Sequence, residues 1–523
     1  MTCLAPLVLC ALLPAADAPV EADVVIKGAT LYDGSGSPGA AGDLAIKGER
    51  IVAVGQFTVA DKPRVIDGKG LVVAPGFIDL HTHSDDALTQ PKTGANLCYL
   101  YQGVTTVVTG NCGFGPVDVD AYFKKLEKNT VGSNVIHQVP HNAVRQQVMK
   151  NANRPPTDDE LKKMEALVDK GMRDGAWGLS TGLIYNPGTY AKTDEIVALA
   201  KVAAKHGGFY ASHIRNEGTE VLQATDEAIR IGREAKLPVH ISHMKISSRK
   251  GWGKAAESIA LVEKARKEGQ TVTADQYPYV ASSTSLAAMV VPPQFREGSR
   301  EDYLARFDDK EQGPRIRKAI EASLDGRNGG EALRIARYAP KKEWQGKNLA
   351  AIAKEEKKPV VDIVVEIEKN GGAGVVSFGM HEDDVRLIMK QPWVATASDG
   401  SSQDPSSDSV PHPRSYGCFA RKIGYYAIVE KTVTLEHAIR SASGLPADIL
   451  KLPERGYLKA GYYADVVVFD PETYRDKATF DKPHQYATGV KYLFVNGKLA
   501  MDDGKYTEVR AGKVLRHKSA AEK

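Results

Sequence analysis

GFIDLHTHSDD (76–86) is an apolar run that ends abruptly in two histidines one residue apart. Side chains alternate between the two faces of a β-strand, so His81 and His83 share a face. They can project from a strand end toward one point, an arrangement that suits a metal ion. Alone, a His-x-His is weak evidence, because two separate surface histidines would satisfy it equally. What decides its meaning is whether the run is one of a series.

Seven further runs of the same kind follow: GVTTVVTGNCG (103–113), NVIHQVPH (134–141), AWGLSTGLIY (176–185), GFYASHIR (208–215), PVHISHMK (238–245), TVTADQYPY (271–279) and PWVATASDG (392–400). Between them lie stretches with three-four apolar periodicity, such as 159–175, 194–207 and 220–235. Strand–helix alternation of this kind argues for an α/β fold with a parallel sheet. Eight such strands argue for a (β/α)₈ TIM barrel, which builds its active site at the C-terminal strand ends. The polar residues close these runs at that end. The Lys-, Arg- and Glu-rich interval 285–372 reads as a helical insertion after the seventh strand. GVVSFGM (374–380) is a ninth strand-like run, either an extra strand or the end of a loop.

The two ends have another texture. Residues 22–74 are short alternating strands broken by Gly and Asp, and similar runs return at 464–470 and 490–500. The expectation is a small β-sandwich built from both chain ends (22–74 and 454–515) beside a catalytic barrel over 75–453. Residues 1–18 read as a secretory signal. An apolar run from Leu4 to Leu13 precedes Ala16-Asp17-Ala18, a small-x-small cleavage pattern, although the leading segment has no Lys or Arg. An exported, periplasmic or secreted protein is expected. The run is too short to span a bilayer.

The chain has 523 residues, 42% hydrophobic and 26% charged, with a formal charge of +4. This is ordinary globular composition without a basic block, so nothing argues for nucleic acid. Of five cysteines, Cys3 and Cys10 would leave with the signal, and Cys98, Cys112 and Cys418 form no even disulfide framework. At the strand ends stand His81, His83, Cys112, His213, His243 and Asp399. Imidazoles, a thiolate and a carboxylate from distant strands make a good ligand set for zinc.

GFIDLHTHSDD, GVTTVVTGNCGFGP, GLSTGLIYNPG, SHIRNE, ISHMK, DQYPYVASST, ASDG and HPRSYG, in this order over about residues 22–500, resemble the D-aminoacylases (N-acyl-D-amino-acid deacylases) of the amidohydrolase superfamily. The resemblance implies a distorted barrel beside a small β domain, and a thiolate at Cys112. It implies that Cys112, His213 and His243 hold a tight zinc, with His81, His83 and Asp399 facing a second, weaker site. Asp399 becomes the expected general base of a metal-assisted amide hydrolysis. The same match offers Arg414, Lys245 and Tyr277 for the substrate carboxylate, Tyr185 as a pocket donor, and Met380 as a side-chain-pocket residue favouring an uncharged substrate. His141 and His412 are expected beside the mouth in supporting positions.

The expected reaction is zinc-dependent hydrolysis of an N-acyl-D-amino acid to a carboxylate and a free D-amino acid. A D-aminoacyl dipeptidase or a hydantoinase- or dihydroorotase-like cyclic-amide hydrolase is the alternative, since the same metal set serves all three. A barrel kept only for binding would have lost Asp399 or the Cys112, His213 and His243 set, and all four are present.

Overall fold

The computed structural model describes residues 18–60 and 62–518. The expected signal segment therefore lies, except for Ala18, outside the described residues.

Eight short parallel strands form the barrel: β1 (Phe77–Asp79), β2 (Val104–Thr109), β3 (Asn134–His137), β4 (Gly178–Gly182), β5 (Phe209–His213), β6 (Val239–Ile241), β7 (Val272–Gln276) and β8 (Val394–Thr396). Each corresponds to one of the eight sequence runs. β1, β2 and β3 pair in order, and β4 through β8 pair in order in a second arc. Past Gln138, β3 continues into Val139–Pro140, which pairs with β4 and joins the arcs. At the other seam, the residues just beyond β1 and β8 join the ends. Thr82 bridges Gly400, the Asp399 amide donates to the His81 carbonyl at 2.8 Å, and the His83 amide donates to the Gly400 carbonyl at 2.7 Å. Closure of the barrel thus brings His81, His83 and Asp399 side by side.

β2 through β5 are buried along their whole length, as expected of strands covered on both faces. The covering helices follow from their own sequence. Asp158–Arg173 opens on a capping box between Thr157 and Glu160 and turns Met164, Val168, Gly171 and Met172 inward.

The chain ends meet in one nine-stranded sheet. Val466–Phe469 pairs antiparallel with Val72–Pro75, which stitches the C-terminal strands to the N-terminal ones. Val24–Leu31 forks, pairing with Arg64–Asp67 through its first half and with Val72–Pro75 through its second. The sheet folds over a core shared by Ile26, Leu44, Ile51, Val466 and Phe494.

The insertion differs from its helical expectation. Ser282–Ser285, Leu333–Arg337 and Gly374–Ser377 form an antiparallel three-stranded sheet, with Gly374–Ser377 in the centre. The run at 374–380 is therefore an extra strand outside the barrel. Helices including Gln312–Asp325 and Val360–Lys369 pack on this sheet around their own core of Ile320, Leu333, Trp344 and Ile363. Ser282–Ser285 escaped notice because SSTS has no apolar alternation to signal a strand.

Candidate metal centre

Cys112 follows β2 in the turn Gly110-Asn111-Cys112-Gly113, where Cys112 itself has φ +53° and the glycines +76° and +74°. The approach is close on the far side too. A side chain at Gly182 would meet the Cys112 carbonyl oxygen at 2.1 Å, so only glycine fits at the end of β4. His243 (φ +36°) and Asp399 (φ +50°) also occupy the left-handed region. Non-glycine residues pay about 1 kcal/mol or more there, and such conformations concentrate at functional sites.

These turns aim the side chains at one another. Cys112 Sγ lies 3.3 Å from His81 Nε2, 3.5 Å from His213 Nδ1 and 3.5 Å from His243 Nε2. Asp399 Oδ1 lies 3.1 Å from His83 Nε2 and 3.5 Å from His81 Nε2. His81, Cys112 and His243 form one group able to hold an ion, and His81, His83 and Asp399 form another. The thiol therefore stands within reach of His81 as well as of the pair expected for it.

The donor set fits zinc. With Zn–S near 2.3 Å and Zn–N near 2.1 Å, tetrahedral sulfur and nitrogen ligands stand about 3.6 Å apart, close to the separations observed. The protein alone also leaves this cluster incomplete. Burial, and then the Asp399 charge, push the Cys112 thiol well above its usual range. Burial lowers His213 well below its usual value and His81 to about 4, leaving neutral imidazoles ready to donate a lone pair. A cation among these groups relieves each of these penalties.

Three carboxylates missed in the sequence stand behind the cluster. Asp275, on β7, places Oδ2 at 2.8 Å from His240 Nε2 and 3.3 Å from His81 Nδ1, while its Oδ1 accepts the His243 amide at 2.7 Å. Burial alone would raise Asp275, but His81 and His240 outweigh it and hold the carboxyl far below the usual range. Asp79, on β1, accepts the amides of His81 and Ser398 across the barrel seam, and burial raises it to about 7. Glu217 lies 2.9 Å from His243 Nδ1, 3.6 Å from His213 Nε2 and 2.5 Å from Lys245 Nζ. The signals were present as DQ at the end of β7, as FID ahead of the histidines, and as a glutamate four residues after His213. Each looked like an ordinary polar residue without its three-dimensional neighbours.

A cavity of about 320 Å³ opens onto the cluster, with Tyr185, His213, Lys245, Tyr277 and Asp399 in its wall. Tyr277 is 1% exposed and its hydroxyl has no hydrogen-bond partner. Tyr185 accepts a bond from Thr284 at 3.0 Å. Burial raises both phenols well above their usual value, so both remain O–H donors. Arg414 is buried and donates to Asp399 Oδ2 at 2.6 Å and to the Ser283 carbonyl. Burial would raise Asp399, but Arg414, then His243, His83 and His81, hold it well below the carboxylate range.

Arg414 is not among the residues lining the cavity, and neither is Met380. Met380 is buried and packs in the barrel core, while Ile184, Ala288 and Met289 supply the apolar wall. The Met380 amide donates to the Val280 carbonyl at 3.2 Å. His412 donates from Nε2 to the Ala281 carbonyl at 2.9 Å and accepts the Arg414 amide on Nδ1 at 3.0 Å, which seats that arginine. His141 pairs with Glu195 at 3.0 Å, behind Asn142.

A family model described as the amidohydrolase family matches residues 64–501. The D-aminoacylase of Alcaligenes xylosoxydans xylosoxydans is 36% identical over 521 residues, 95% of this chain and 98% of that one. A solved D-aminoacylase structure, described in terms of a binuclear metal centre with one-metal activation and second-metal attenuation, is similar at a TM-score of 0.81 and 36% identity, over 94% of this chain and 99% of that one. An N-acyl-D-glutamate deacylase from Bordetella bronchiseptica, complexed with zinc and a phosphonate mimic of the tetrahedral intermediate, has the same TM-score at 32% identity, over 95% and 100%.

Proposed function

This chain belongs to the amidohydrolase family, in its D-aminoacylase branch, and from that premise we propose that it hydrolyses the amide bond of N-acyl-D-amino acids with zinc, releasing a carboxylate and a free D-amino acid. The observation that carries the reading is the convergence of Cys112, His81, His213 and His243 within 3.3–3.5 Å of one sulfur, beside an ionised Asp399 in a substrate-sized cavity.

Cys112, His213 and His243 would hold the tight ion, and His81, His83 and Asp399 face the second position. A zinc ion held by these residues would supply Lewis acidity, bringing the pKa of a bound water toward about 7. Asp399 accepts the proton of the attacking water and delivers it to the departing nitrogen. Arg414 keeps that carboxylate ionised until the proton arrives. Tyr277 and Tyr185 offer O–H donors to substrate oxygens, and Arg414 and Lys245 supply positive charge near the substrate carboxylate.

The test is a panel of N-acetyl-D-methionine, its L-isomer, a D-terminal dipeptide and hydantoin, offered to the zinc-loaded protein. Turnover confined to the D-acyl amino acid is expected. Turnover of hydantoin alone would replace this reading with a cyclic-amide hydrolase. Residues 1–18 support a second proposal, that the protein is exported. Cell fractionation addresses it, and a wholly cytoplasmic product would contradict it. Among the described residues no helix is long and apolar enough to cross a membrane.

A further inference from the structure

His213 and His243 each have two ring nitrogens, and the structure uses both in the same way. One nitrogen of each faces Cys112 Sγ, Nδ1 of His213 and Nε2 of His243, both at 3.5 Å. The opposite nitrogen of each faces a single carboxylate, Glu217: His243 Nδ1 at 2.9 Å from Oε1 and His213 Nε2 at 3.6 Å from Oε2. The chain makes this inexpensive. Glu217 is four residues past His213, in the loop after β5, and reaches across to β6 where His243 stands. The carboxylate side chain is 9% exposed and is ringed by His213, His243 and Lys245.

A third group completes the arrangement. Lys245 Nζ lies 2.5 Å from Glu217 Oε1, 2.6 Å from His243 Nδ1 and 2.9 Å from the His243 carbonyl. An ammonium has only donors and a neutral imidazole has one donor and one acceptor. If Lys245 donates to His243 Nδ1, the ring proton moves to Nε2, and the nitrogen facing Cys112 loses its lone pair. If Glu217 accepts from Nδ1–H, Nε2 keeps its lone pair toward the sulfur. The choice between these two states rests on whether the carboxylate is there to take both the imidazole proton and the ammonium.

We propose that Glu217 is the positioning residue of the metal centre: one carboxylate that holds His243, stands beside His213 and, by engaging Lys245, sets the His243 tautomer that leaves Nε2 free to bind a metal ion. Carboxylates that hold the far nitrogen of a metal-binding histidine raise ligand basicity, and removing them costs about 10–100-fold in metal affinity. Asp275 does the corresponding work for His81, but Glu217 also opposes a cation that competes for the ring nitrogen it holds. The proposal rests on the metal centre described above.

The experiment compares wild type, Glu217→Gln, Lys245→Met and the double variant by zinc competition titration and by the visible spectrum of the cobalt-substituted proteins. Neither readout needs turnover. Glutamine keeps the shape of the side chain, and far-UV circular dichroism confirms folding. Glu217→Gln is expected to weaken zinc about 10–100-fold and to alter the cobalt bands. Adding Lys245→Met is expected to restore most of that loss, because the competing donor is gone. Unchanged affinity and spectrum in folded Glu217→Gln would overturn the proposal, as would a double variant no better than the single one. If wild type itself binds neither zinc nor cobalt, the metal-centre reading fails first, and the two failures are told apart.

Discussion

Two of the buried polar clusters in this molecule are built oppositely. At the junction of barrel and β domain, Asp465, Arg455, Asn496 and Asn134 form a closed set. Arg455 pairs with Asp465 and donates to Asn496 at 2.8 Å. The Asn496 amide donates to Asp465 at 2.7 Å, and its side chain reaches Asn134 and the Ala511 carbonyl at 2.7 Å each. None of these groups is left without a hydrogen-bond partner. The Cys112 cluster is equally buried but open: a thiol forced toward its neutral form, strained turns at Cys112, His243 and Asp399, and an unpartnered hydroxyl at Tyr277. A closed cluster locks structure, whereas an open one holds places for something that arrives later.

Exchanging residues between the two behaviours tests the contrast. Asp399→Asn is expected to lower kcat by about 10²–10⁴ while the protein stays folded, since proton transfer is lost and packing is not. Steady-state kinetics beside a thermal melt reads both. Asp465→Ala should do the reverse. Leaving Arg455 buried and unpaired costs about 3–5 kcal/mol of stability by denaturant titration, with kcat per folded molecule unchanged.

Tyr277→Phe removes a hydroxyl that nothing in the protein satisfies, so stability should hold or rise slightly. kcat/KM for the acyl amino acid should nevertheless fall about tenfold, if that hydroxyl meets substrate. A loss of stability with unchanged kinetics would move Tyr277 into the closed class.

Lys422 gives the mildest test. Its amine is 1% exposed, unpartnered, and away from the cavity wall, and burial lowers its pKa from 10.5 to about 8. Between those pH values the unfolded chain holds the proton and the folded chain does not, so stability rises as pH climbs from about 8 to about 10.5. Lys422→Met should flatten that rise and raise the melting temperature at pH 7, without altering activity. Melts across the pH range read the slope directly.

Much of this was legible in the residues. The eight runs became eight barrel strands because fully buried parallel strands announce themselves as short apolar blocks, and their polar ends lie where a barrel gathers its chemistry. His81, Cys112, His213, His243 and Asp399 stand together because the odd residue types at those ends were unmistakable. What stayed hidden had no local signature. Ser282–Ser285 pairs with Gly374–Ser377 across some ninety residues, a pairing that no alternation in SSTS foretells. Asp275, Asp79 and Glu217 matter through partners on other strands, and a lone carboxylate in a sequence does not disclose which imidazole it will meet. Met380 was expected in the pocket by likeness of position, and it is buried in the core and absent from the cavity wall.

Zinc content of wild type and Cys112→Ala, measured by elemental analysis on the same preparations with folding verified, bears most directly on the whole reading. Wild type should retain at least one tightly held zinc per chain, and the alanine variant should lose most of it together with nearly all turnover of N-acetyl-D-methionine. A folded Cys112→Ala protein that keeps its zinc and its activity would contradict the account, because the sulfur on which three imidazoles converge would then hold nothing.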